Sequence, residues 1–167
     1  LTNLEKEDAK PTREFFGIPI EGDVHRERPT VDQKPFSDLK PYFDKLWAKG
    51  ITAVTWHQYT PWFNDGDTCE FGVYEPSFTS NPQVAEAWLE GSDEYEDENG
   101  DFQNATSYDY ERPWNEQYPH PDGLKKEDLE LPVNHYEFEY AMLDKFGNHT
   151  EVVVTPNRVI QWEYSHD

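Results

Sequence analysis

Three histidines, His57, His149 and His166, fall on or beside stretches that read as strands, with Asp65, Asp67 and Asp167 as candidate carboxylates. Histidine with carboxylate can hold a transition metal or act as a general base. Here no H-x-H or H-E-x-x-H spacing ties the three stretches together. Asn64-Asp65-Gly66-Asp67 followed by Glu70 offers oxygen ligands at the offsets that Ca²⁺ or Mg²⁺ uses. The twelve-residue EF-hand order is not met, and a tight turn asks for the same residues on backbone grounds. Asp65 and Asp67 are therefore weak metal candidates, and a turn is the expectation. Cys69, the single cysteine, stands between Asp67 and Glu70. Neighbouring carboxylates oppose a thiolate, so a small buried side chain is expected rather than a nucleophile. There is no Gly-rich phosphate loop and no G-x-S-x-G. No catalytic residue and no cofactor is expected.

The strongest chemical signal is charge. The chain carries 35 acidic residues against 14 basic ones, a formal net charge of −21, with a pI near 4.4. Such a surface repels nucleic acid and anionic membranes and attracts basic proteins, including clefts that normally hold nucleic acid. The excess concentrates in residues 90–122, where eleven acids face one base, Arg112. Acidic low complexity alone predicts disorder, but Tyr95, Phe102, Tyr108, Tyr110, Trp114 and Tyr118 interleave with it. Aromatics carry interface energy where rim charges carry little. The expected partner-binding set is Asp93, Glu94, Tyr95, Glu96, Asp97, Glu98, Asp101, Phe102, Asp109, Tyr110, Glu111 and Trp114. A solvated acidic loop with no partner is the plain alternative.

The elements that must position these groups are legible in part. Aromatics make up 16% of the chain and all apolar residues only 35%, so rings must carry the core. Residues 1–30 are polar and broken by Pro11, Pro19 and Pro29, an arm whose piece Glu14 to Ile20 can dock onto a body. Phe36, Leu39, Phe43, Leu46 and Trp47 keep helical spacing. Pro41 confines the regular helix to Lys40–Lys49, stopped by Gly50. Ile51 to Tyr59 alternates as a strand, with Ala53, Thr55 and His57 on one face and Val54, Trp56 and Gln58 on the other. Cys69 to Tyr74 returns after the turn, and Pro76 ends it. A short helix, Pro82 to Glu90, follows a cap at Ser80 or Asn81. Leu124 to Leu131 reads as another short helix. Three strands are expected at the end, Glu137–Leu143, Thr150–Thr155 and Val159–Tyr164. The whole reads as one α+β domain over 31–167, an antiparallel sheet of about five strands with two or three helices and a long acidic insertion.

The run Trp56-His57-Gln58-Tyr59-Thr60-Pro61-Trp62-Phe63-Asn64-Asp65-Gly66-Asp67-Thr68-Cys69 resembles a family of small acidic proteins from bacteriophages and bacteria that carry W-x-Q-Y-T-P-x-F-N-D-G-D-x-C. Phe146 to His149, Val152 to Thr155 and the ending Glu163-Tyr164-Ser165-His166-Asp167 look like the close of the same family. The N-terminal 30 residues lie outside the pattern. The resemblance implies a phage-type source and no particular activity.

A non-enzymatic, phage-encoded binding protein follows as the leading expectation. It would dock on the basic site of a host nucleic-acid-binding protein as a mimic or inhibitor, without binding nucleic acid itself. An oligomeric component of a virus particle and a metal-dependent enzyme are the alternatives. No stretch approaches the ~18 apolar residues of a membrane span. The charged start, Leu1 to Lys10, lacks a secretory core, and one Cys makes no intrachain disulfide. A host cytoplasmic or virion location is expected.

Overall fold

The computed structural model describes residues 13–22, 33–61, 69–105, 124 and 126–165. A mixed sheet lies between two unequal layers. Its strands are β1 (Glu14–Phe15), β2 (Ile18–Glu21), β3 (Ala53–Tyr59), β4 (Gly72–Val73), β5 (Ser77–Thr79), β8 (Thr150–Val154) and β9 (Val159–Glu163), and β6 (Glu94–Glu96) with β7 (Phe102–Asn104) forms a separate hairpin. The order across the sheet is β1, β2, β9, β8, β3, with β4 and β5 sharing the outer edge of β3. The helices are α1 (Lys40–Ala48), α2 (Pro82–Leu89) and α3 (Glu139–Phe146).

The α+β class holds, but the sheet is not purely antiparallel. β2 runs parallel to β9, with Ile20 opposite Val159. The piece expected to dock does so as a hairpin: Phe16 and Gly17 both take positive φ (50° and 87°), the requirement of a two-residue turn with the right twist. That turn puts Phe15 into the core beside Phe43, centroids 4.8 Å apart.

The second correction concerns Glu137–Leu143, which is not a strand. Phe138 and Met142 fit a period of two and a period of 3.6 equally well. Leu143 and Phe146 decide for the helix, because with Phe138 and Met142 they make one buried stripe. Gly147 at φ 97° then ends α3. The expected helix over Leu124–Leu131 is reduced to a 3-10 turn, Lys126–Leu129.

The return from the central turn is also subtler than a single strand. Gln58 pairs with Val73, whereas Thr55 pairs with Ser77. Tyr74 N–H still donates to His57 O. The register slips by one residue, so Glu75 and Pro76 together oppose Trp56. A bulge is where a residue without an N–H fits in a sheet.

The pleat divides β3 as expected. Val54, Trp56 and Gln58 face α1 and α3, and Trp56 meets Phe146 edge-on at 5.7 Å. Two buried glutamines tie that layer to the sheet. Gln58 Nε2 donates to Met142 O and Gly147 O while its Oε1 accepts from Trp56 Nε1. Gln161 Nε2 donates to Phe146 O, and its Oε1 accepts from Arg13. At Phe146 O and Gly147 O these amides satisfy carbonyls that lie past the last intrahelical bond of α3. On the opposite face, α2 packs against β3 and β5.

Candidate functional site

Helix α2 and the hairpin β6–β7 form one unit on the outer face of the sheet. Asn81 accepts from Gln83 N–H and so caps α2, with Pro82 in the first turn. The hairpin is braced on the helix: Asn81 Nδ2 donates to Tyr95 Oη at 3.5 Å, and Gln83 Nε2 donates to Glu96 O at 3.2 Å. Its tip is organised by Asp97, whose Oδ1 accepts from Asn99 N–H and Asp101 N–H and whose Oδ2 accepts from Gln103 Nε2. The bond from Gln103, then that from the Asp101 amide, holds the Asp97 carboxyl below its usual range.

This arrangement separates the expected partner-binding residues by role. Cross-strand pairing puts Glu96 opposite Phe102 and Glu94 opposite Asn104. Glu94, Glu96 and Phe102 share the outward face, and Phe102 is 72% exposed. Tyr95, one residue along, turns inward and is half-buried. Asp93, Glu98 and Asp101 are exposed around them. Asp97 is half-buried and occupied in the turn, so its part is structural. Asp109, Tyr110, Glu111 and Trp114 lie outside the described residues, as do the metal candidates Asp65 and Asp67 and the histidine His166. Among the described residues, no group of three or more His, Cys, Asp or Glu is placed to hold a metal. Cys69 is half-buried and not in a disulfide.

Beneath the base of the hairpin is a cleft of about 270 Å³. Thr55 and Ser77 of the sheet, Trp88 of α2, Asp93 at the start of the hairpin, and Glu151 and Trp162 of the sheet line it. Gly91, just beyond α2, backs onto Trp162: a Cβ there would stand 3.8 Å from the indole. Beside the cleft, aromatic rings are layered over the outer face. His57 stacks on Tyr164 at 4.0 Å and Tyr59 on Tyr74 at 4.3 Å. Burial, with the hydrogen bond and proximity of Tyr59, pushes the Tyr74 hydroxyl up to about 12.

Histidine does meet a carboxylate here, but not one of those expected. His57 Nε2 lies 3.5 Å from Glu151 Oε1, and Glu151 Oε2 accepts from Trp162 Nε1 at 2.9 Å. His57 and Glu151 are direct cross-strand neighbours. The alternation of Ile51–Tyr59 puts His57 on the outer face, but only the β3–β8 register selects its partner. The cleft has no local motif; its lining comes from six separate stretches.

Comparison with protein-family models, with curated proteins and with solved structures gave no match. Among the described residues no helix is long and apolar enough to cross a membrane.

Proposed function

We propose that this chain is a non-enzymatic binding protein that docks its acidic hairpin on a basic, nucleic-acid-binding site of another protein. The observation that carries this reading is the ordered outward face of β6–β7, where Glu94 and Glu96 flank the exposed ring of Phe102. Residues 90–105 contain no Lys or Arg to neutralise it. An exposed ring amid carboxylates supplies both an apolar anchor and long-range steering.

Magnitude limits the mimicry. Side chains on one face of a strand repeat every ~6.8 Å, whereas one DNA strand carries a charge every ~3.4 Å of axis. A single hairpin edge thus offers about half the linear charge density of one nucleic-acid strand. It suits a basic pocket better than it reproduces a duplex. A phage-type source accords with the resemblance of the Trp56–Cys69 run and with occupation of a host enzyme.

Zero-length carbodiimide crosslinking of the chain in a host lysate, read by mass spectrometry, tests this. The expected products join Glu94, Glu96 or Glu98 to lysines of a nucleic-acid-binding protein, and added duplex competes them away. Crosslinks spread evenly over the acidic surface, or unaffected by nucleic acid and by salt, would count against the proposal.

A further inference from the structure

The cleft under the hairpin is built to receive a hydrogen-bond donor. Its own side-chain donors are largely engaged: Trp88 Nε1 donates to Ala105 O, Trp162 Nε1 to Glu151, Thr55 Oγ1 to Val152 O and Ser92 Oγ to Glu94 O. What remains is acceptor capacity. Glu151 and Asp93 both line the space, and none of its nine lining residues is Lys or Arg. The end of α2, with no basic residue in its last turn, leads into it through Gly91 and Ser92. That end adds partial negative charge. The two indoles, each held by its own N–H bond, complete a lining suited to a cation on an apolar stem. An anion or carbonyl ligand would find little to donate to it.

Size narrows the choice. Drug-sized ligands occupy roughly 300–1,000 Å³, and 270 Å³ falls just below that range. We propose that the cleft is a socket for one lysine or arginine side chain of the basic partner. This rests on the docking reading above and goes further, since it assigns a second point of attachment, made by Trp88, Asp93, Glu151 and Trp162. The outer face of the hairpin draws the partner in, and the socket at its base fixes the register.

The socket can be tested without the partner. The full chain, ¹⁵N-labelled, is titrated with Nα-acetyl-lysine methylamide and Nα-acetyl-arginine methylamide. The neutral norleucine and citrulline counterparts serve as controls, all at about 0.15 M salt to screen diffuse attraction. The indole N–H signals of Trp88 and Trp162 are expected to move with at least one cationic amide and not with its neutral counterpart, at millimolar affinity (about −4 kcal/mol). Glu151→Gln should weaken binding about fivefold or more, and Asp93→Asn, at an exposed position, about twofold or more. Equal shifts with the neutral amides, undiminished binding in both variants, or no shift at tens of millimolar would overturn the socket. Because no partner is present, a silent cleft removes the socket and leaves hairpin docking standing. Conversely, a responsive cleft with no basic partner found removes the docking reading alone.

Discussion

Gln58 shows how much of this molecule is decided by single polar side chains. It is fully buried, and its amide meets Trp56, Met142 and Gly147 at once. Gln58→Leu would leave the Trp56 indole N–H and the Gly147 carbonyl without this partner and would remove a second bond from Met142 O. At ~1–3 kcal/mol for a buried orphan group, a loss of about 3 kcal/mol is expected in urea unfolding, with the slope unchanged. Asp97 governs a smaller unit. Its folded pKa is depressed below the ordinary aspartate range by the bonds it accepts, so its contribution is present above the unfolded pKa and fades as pH falls through the folded one. Amide protection at Asn99 and Asp101, taken relative to the intrinsic exchange rate at each pH, should be high near neutral pH and fall on that acid side. Asp97→Ala should lower it at all pH values and abolish the acid transition. Neither role was legible in the residues alone. Gln58 reads only as one more polar position in an alternating strand, and Asp97 as one carboxylate among many. His57 was visible as a candidate, but its partner Glu151 was hidden because a cross-strand pair needs a register.

Elements with one unambiguous period were read well. α1 begins where Pro41 allows and stops before Gly50, α2 starts at Pro82 after the Asn81 cap, and β3, β8 and β9 fall within a residue or two of their expected bounds. Elements set by tertiary context were not. α3 carries a pattern that serves both a strand and a helix until Leu143 and Phe146 are weighed. The second edge strand, β5, is three residues long and follows a bulge. The parallel pairing of β2 with β9 depends on a close approach that no local signal announces. Gly22 makes that approach possible: a Cβ there would meet Gln161 O at 2.0 Å, and its φ is +97°. Gly22→Ala should destabilise by more than about 1 kcal/mol. It should also speed amide exchange across β2 while leaving the pairing of β3 with β8 protected.

At the scale of the whole molecule, a net charge of −21 both opposes folding and directs association. Raising NaCl from about 0.01 to 0.15 M shortens the Debye length from about 30 to 8 Å. The melting temperature should therefore rise with salt while affinity for a basic partner falls, two opposite responses to one change of solvent. A molecule dependent on its surface ion pairs, such as Glu21 with Arg158 and Lys34 with Glu137, would instead lose stability with salt. Composition made this balance plain. It did not show that part of the charge sits on a braced hairpin.

The most direct measurement is the affinity of the crosslinked partner for the wild-type chain and for Glu94→Gln/Glu96→Gln/Glu98→Gln, at low and at physiological salt. These are exposed positions, and none of them lines the cleft. At ~0.5–1 kcal/mol for each exposed charge, the triple change should weaken binding by about ten- to a hundredfold at low salt and flatten its salt dependence. Affinity within twofold of wild type at both salt concentrations would contradict the account.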